Sequence, residues 1–305
     1  MIETHLVQLP HGITLSCRSA GERGRPVLLF LHGFPEAAFV WDGLLAHFAQ
    51  AEHGGYRCLA PNLRGYEHSS APTEVSAYRA KPLLQDLVAL IESETRDSPT
   101  PGQLAALVAH DWGGALAWNL AALRPELMRQ LVIINAPHPG NFQRELSHSP
   151  TQQAASDYML FLARPDAPAL LAENDFARLW PFFTGMAQGS PLPWLDTSTR
   201  ERYRAVWRLG LHGPCAYYAA SPLRPPTAQD PGASAVVLPR ALLDVQLPTL
   251  VIWGLGDTAL PPALLDGLAE HVPQLRIERV PGASHWIVHE QPALVRALLA
   301  DFLKE

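Results

Sequence analysis

Six short strand-like runs, most of them almost continuously apolar, constrain this chain more than anything else in it. They are Val27 to Leu31, Arg57 to Ala60, Leu104 to Ala109, Leu131 to Ile134, Thr249 to Trp253 and Leu275 to Val280. Continuous rather than alternating apolarity suits parallel strands covered on both faces. Amphipathic segments separate them. Leu83, Leu84, Leu87, Val88, Leu90 and Ile91 recur at helical spacing, as do Leu294, Val295, Leu298, Leu299, Phe302 and Leu303. Strands alternating with helices predict an α/β protein built on a doubly wound, mostly parallel sheet. A β-hairpin precedes it, with His5 to Leu9 and Ile13 to Cys17 flanking Pro10-His11-Gly12.

The pattern breaks from about Pro139 to Arg240. Strand-like runs disappear, and aromatic helical segments such as Tyr158-Met159-Leu160-Phe161-Leu162 take over, divided by Pro191-Leu192-Pro193 and by Pro222 to Pro226. The expected division is a core of residues 1–138 and 241–305 with a helical cap, 139–240, inserted between two strands. A disordered linker is the alternative, but Trp180, Phe182, Phe183, Trp194 and Trp207 argue against it.

Composition narrows the function. Of 305 residues, 48% are hydrophobic and 17% charged, enough apolar material for a sizeable core. A formal net charge of -6 gives no electrostatic reason to bind nucleic acid or an anionic membrane. Three cysteines, Cys17, Cys58 and Cys215, are too few and odd in number for a disulfide framework, which fits a reducing compartment. The first residues lack a basic segment followed by an apolar run, and no stretch approaches the roughly 20 apolar residues that span a bilayer. A soluble cytoplasmic protein is the default expectation. Composition leaves the oligomeric state open.

The run Leu104 to Ala109 leads into His110-Asp111-Trp112-Gly113-Gly114 and then helical Ala115-Leu116-Ala117-Trp118. Strand, sharp turn and helix with small residues around the centre describe a nucleophile elbow, with Asp111 at its apex. The helix N-terminus favours a carboxylate there. Asp111 as a plain N-cap satisfies the same pattern, so its partners must decide. A carboxylate displaces a leaving group at sp³ carbon and gives an alkyl-enzyme ester. No G-x-S-x-G competes; Gly185-Met186-Ala187-Gln188-Gly189 has no nucleophile at its centre.

Two partners follow in order. Thr249 to Trp253 ends in Gly254-Leu255-Gly256-Asp257, and the last strand-like run leads to Pro281-Gly282-Ala283-Ser284-His285. The order nucleophile, acid, histidine is the one this elbow requires, with Asp257 orienting His285. Thirteen histidines are present, so position alone singles out His285. A metal site of His285 with His289 lacks the intervening glutamate of a zinc motif. The other place for an acid, after Leu131 to Ile134, holds Asn135, which carries no charge. After the first parallel run, His32-Gly33-Phe34-Pro35 forms a turn that aims the Phe34 N–H at the site opposite that of Trp112, a pair of oxyanion donors. His32, Gly33 and Pro35 support that turn, His32 through hydrogen bonds rather than as a base.

Assembled in this order, the motifs resemble the epoxide hydrolase branch of the α/β-hydrolases. The resemblance covers nearly the whole chain: His32-Gly33-x-Pro35, Asn62-Leu63-Arg64-Gly65-Tyr66, His110-Asp111-Trp112-Gly113-Gly114, Asn135-Ala136-Pro137, Trp253-Gly254-x-x-Asp257 and Gly282-Ala283-Ser284-His285. It implies an α/β-hydrolase fold and a small apolar epoxide-type substrate attacked by Asp111. Water activated by His285 then hydrolyses the ester, with no metal or organic cofactor. It also implies two cap tyrosines that protonate the epoxide oxygen. Gly213-Pro214-Cys215-Ala216-Tyr217-Tyr218 is similar to the segment that carries one, which points to Tyr218, and Asp157-Tyr158 is similar to the segment of the other. Cys215, Ala216 and Ala219 depart from the commoner Leu, Asn and Arg. Haloalkane and haloacetate dehalogenases share the three polar residues and are the competing reading. Phe34 stands where many of the former have a halide-binding Asn; Met159, Tyr158 and Trp112 replace the halide-pocket Trp and His and the carboxylate-binding Arg of the fluoroacetate enzymes. A non-catalytic binding module on the same fold is a third class, which the intact Asp111, Asp257 and His285 argue against.

Overall fold

The computed structural model describes residues 1–185 and 192–305. Most of the Gly185 to Gly189 run and the first proline of Pro191-Leu192-Pro193 lie outside the described residues. Eight strands form one sheet: β1 (Glu3–Gln8), β2 (Thr14–Ala20), β3 (Val27–Leu31), β4 (Arg57–Pro61), β5 (Ala106–His110), β6 (Leu131–Ile134), β7 (Thr249–Gly254) and β8 (Leu275–Val280). Their spatial order is β1-β2-β4-β3-β5-β6-β7-β8. The hairpin β1–β2 joins the sheet antiparallel to β4, and every pairing from β4 to β8 is parallel. Each of β3, β4, β5, β6 and β7 is buried along its whole length, the reason their sequences carry no polar alternation. The fifth strand begins two residues later than its apolar run, because Leu104 instead makes a single bridge to Met128.

Successive strand residues sort onto opposite faces. Leu29, Leu107, Leu131 and Ile133 pack into one core, while Phe30, Val108, Val132 and Ile134 pack into the other. Helices α1 (Asp42–Phe48), α2 (Ala80–Glu94) and α3 (Asp111–Leu123) lie between the early strands. After β6 come α4 (Pro139–His148), α5 (Pro150–Ala155), α6 (Tyr158–Leu162), α7 (Ala167–Phe176), α8 (Trp180–Thr184), α9 (Thr197–Trp207) and α10 (His212–Ala220). Two more, α11 (Ile287–Glu290) and α12 (Pro292–Phe302), close the chain. Leu45 and Phe48 of α1 share a core with Val295, Leu299 and Phe302 of α12, whereas α2 and α3 cover the opposite face. A third cluster joins Phe34, Phe39 and Trp286 to Leu171, Phe183, Tyr203 and Trp207, so the segment after β6 is packed rather than loose. No helix among the described residues is long and apolar enough to cross a membrane.

Chain order reverses direction across the sheet at one place. The chain passes from β3 outward to β4 and then returns to lay β5 on the other side of β3. The carboxyl ends of β3 and β5 therefore diverge into a crevice, the place where open α/β sheets put their ligands.

Candidate active site

Two turns meet in that crevice. β5 ends at His110, and Asp111 opens α3 with φ +50, a left-handed conformation that costs a non-glycine residue roughly 1–2 kcal/mol. Close packing holds it there. A Cβ on Gly113 would lie 2.6 Å from the Leu31 side chain and carbonyl, so only glycine lets α3 start this near to β3. A Cβ on Gly33 would stand 2.1 Å from Asp111 Oδ1. Without it, the Phe34 N–H reaches that oxygen and donates to it at 2.7 Å. His32 is fully buried and holds the turn, its Nε2 accepting from Leu63 N–H at 3.1 Å and its Nδ1 lying 3.0 Å from the Gly33 carbonyl. The Pro35 carbonyl accepts from the Trp207 indole at 2.8 Å, which ties the same turn to α9.

His285 lies on the loop after β8, with Nδ1 2.6 Å from Asp257 Oδ2 and Nε2 3.7 Å from Asp111 Oδ2. Asp257 accepts further bonds at Oδ1 from the Ala259 and Leu260 N–H groups, both at 2.9 Å. The three residues picked out along the sequence therefore stand in line. Burial by itself would lower the His285 pKa; the bonded Asp257 carboxylate and then Asp111 outweigh burial and hold it up at about 9. Both anions favour the imidazolium, so removing one must lower that value. Asp111→Asn is expected to move the imidazole titration, followed by NMR, below its wild-type midpoint; an unchanged midpoint would assign the whole rise to Asp257.

Sequence reasoning passed over two residues here. Asn135, set aside for lacking a charge, donates from Nδ2 to Asp257 Oδ2 at 2.7 Å and accepts the Gly254 N–H at 2.9 Å. Its φ of +38 is one that Asn tolerates better than most residues, and an Asn directly after a buried strand is the signal for it. Glu36, next to the quoted turn, is wholly buried and gathers the Tyr203 hydroxyl at 2.7 Å, His289 Nε2 at 2.5 Å and His110 Nδ1 at 3.4 Å. Burial would raise its pKa, but His289 and His110 reverse the shift and keep it well below the usual carboxylate range. His110 in turn donates from Nε2 to the His285 carbonyl at 2.9 Å. A buried charge in an otherwise apolar stretch is the sequence signal, though its partners lie as far as 253 residues away.

A cavity of about 250 Å³ opens on Asp111, with Trp112, Tyr158 and Tyr218 around it. Tyr158 comes from α6 and Tyr218 from α10, their ring centroids 6.0 Å apart. The Tyr218 ring also stands perpendicular to Phe34 and Trp112, at 5.3 and 5.1 Å. Burial, followed by the nearby Asp111, pushes the Tyr158 pKa far up, and burial and Tyr158 do the same for Tyr218, so both phenols hold their protons. Tyr217, adjacent in sequence, gives its hydroxyl to the Arg64 carbonyl at 3.0 Å.

The family model for the alpha/beta hydrolase fold matches residues 26–292. The chain is 35% identical over 300 residues to the AB hydrolase superfamily protein YfhM of Bacillus subtilis, covering 96% of both chains. It is 32% identical to epoxide hydrolase 3 of Xenopus tropicalis over 96% of its own length and 76% of the other. Among solved structures, an epoxide hydrolase of the alpha/beta hydrolases superfamily from metagenomes of hot environments superposes with a TM-score of 0.84 at 36% identity, covering 99% of each chain. The chain belongs to the α/β-hydrolase fold family, and within that family to the epoxide hydrolases.

Proposed function

We propose that this chain hydrolyses an epoxide to a vicinal diol through an ester on Asp111. The observation that carries the reading is the convergence of a carboxylate and two protonated phenols on one cavity, the phenols coming from separate helices. Tyr158 and Tyr218 hydrogen-bond the epoxide oxygen. Asp111 attacks one ring carbon through the oxygen not bonded to Phe34 N–H, the C–O bond to that carbon breaks, and a phenol proton passes to the departing oxygen. His285, aligned by Asp257 and Asn135, then takes a proton from water as that water adds to the ester carbonyl. The Phe34 and Trp112 N–H groups hold the oxyanion. Collapse expels the diol and restores the carboxylate, and the proton His285 took from water replaces the one the phenol gave up. Residues 139–240 act as the cap that carries the phenols, and 1–138 with 241–305 as the core that carries Asp111, Asp257 and His285. The cavity wall is mostly apolar, which favours an apolar epoxide. Buried, unpaired Cys17, Cys58 and Cys215 favour a cytoplasmic location.

Single turnover in ¹⁸O-water distinguishes this route from direct hydration. Hydrolysis at the ester carbonyl puts the label into a peptide containing Asp111, where mass analysis finds it. Label entering only the first-turnover diol would mean that water attacks the epoxide itself.

A further inference from the structure

The cavity does not end at the catalytic residues. Asp111, Ala115 and Asn119 recur every fourth residue along α3 and all line it, so it runs down the helix from its first residue. Eight residues of helix carry the wall about 12 Å beyond Asp111. Apolar Leu223, Leu238 and Leu242 also line it. Beyond Asp111, Trp112, Tyr158 and Tyr218, the polar side chains on the wall are Tyr78, Asn119, Tyr217 and Ser221. Three of these are already engaged. The Tyr78 hydroxyl donates to the Pro72 carbonyl, that of Tyr217 to the Arg64 carbonyl, and Ser221 Oγ both donates to and accepts from the Leu223 backbone.

Asn119 differs. Its Nδ2 donates to the Ala115 carbonyl at 2.8 Å within the helix. A carbonyl only accepts, so the amide nitrogen must be the atom turned to it, which leaves Oδ1 as an acceptor without a bond among the described residues. Asparagine also weakens a helix interior by a few tenths of a kcal/mol relative to leucine or alanine, which are the other residues on this stretch of wall. Binding sites of this sort are apolar with a few placed polar groups that fix the ligand's orientation. We infer that Asn119 Oδ1 selects the substrate's far end. The preferred substrate is an epoxide on an apolar arm about 12 Å long that ends in a hydroxyl donor. The inference rests on the proposed reaction at Asp111 and assigns the end of the pocket remote from it.

Paired terminal epoxides of graded arm length, one of each pair ending in hydroxyl and the other in methyl, test this. Wild type is expected to prefer the hydroxyl member at one length by roughly tenfold in kcat/KM, the worth of one hydrogen bond, expressed in KM because the contact is the same in substrate and transition state. Asn119→Leu is expected to erase that preference by raising KM for the hydroxyl member to that of the methyl one. Diol formation without preference at any length, or with a preference surviving in Asn119→Leu, overturns the assignment of Asn119 alone. Failure to form diol from every epoxide overturns the reading of Asp111, and this assignment with it.

Discussion

Replacing His285 with glutamine is expected to stop the enzyme after one turnover, with the alkyl ester left on Asp111 and steady diol release lowered by roughly 10²–10⁴-fold. The geometry separates the two half-reactions. His285 Nε2 is 3.7 Å from Asp111 Oδ2, beyond hydrogen-bond range, so no hydrogen bond from the ring ties up the oxygen that attacks. Ester hydrolysis does depend on the ring, because a water must lose a proton as it adds to the carbonyl. Glutamine preserves size and can donate to Asp257, but an amide takes up no proton at working pH. Intact-protein mass should rise by the mass of the epoxide, and peptide mapping should place the increment on Asp111. An inactive variant that stays unmodified would put His285 in the ring-opening step instead.

Removing both cap phenols is expected to lower epoxide turnover by roughly 10²–10⁴-fold, the usual contribution of a general acid. Tyr158→Phe or Tyr218→Phe alone should cost less, since the remaining phenol still reaches the oxygen. Tyr217 lines the same cavity, but its hydroxyl is already committed as a donor to the Arg64 carbonyl, so it is not expected to replace the missing acid. Phenylalanine keeps the ring packing that holds Tyr218 against Phe34 and Trp112, so circular dichroism should show an intact fold. Assays with an epoxide and a bromoalkane, reading diol and halide separately, complete the test. Full epoxide activity in the double variant removes the phenols from the mechanism; faster bromide than diol release by wild type turns the site into a dehalogenase.

What the sequence revealed followed from how local each feature is. The central strands were legible because burial on both faces leaves a continuous apolar run, and Leu131 to Ile134 can be read to the residue. Leu104 could not be, since its departure from the strand is decided by Met128, well downstream. The helices after β6 were legible only as a group. They are short, and α7 is broken by left-handed Asn174 and Asp175, so packing against Phe34, Phe39 and Trp286 shapes them more than periodicity does. In the site, Asp111, Asp257 and His285 stood out because each ends a strand in a recognisable run. Asn135 did not, because its worth lies in a bond to Asp257 across 122 residues. Glu36 and Asn119 are similar cases: the first is defined by distant partners, the second by the emptiness of the wall around it.

The raised affinity of His285 for its proton acts as an interlock between the two halves of the proposed cycle. In the resting site the ring sits between two anions and, with a pKa of about 9, carries a positive charge through neutral pH. Esterification turns Asp111 into a neutral group and withdraws one of the two charges that hold the proton. In the proposed cycle the ring's affinity for its proton therefore falls while the ester stands and rises again when the carboxylate returns. The readiness of the proposed base is thus tied to the charge on the proposed nucleophile.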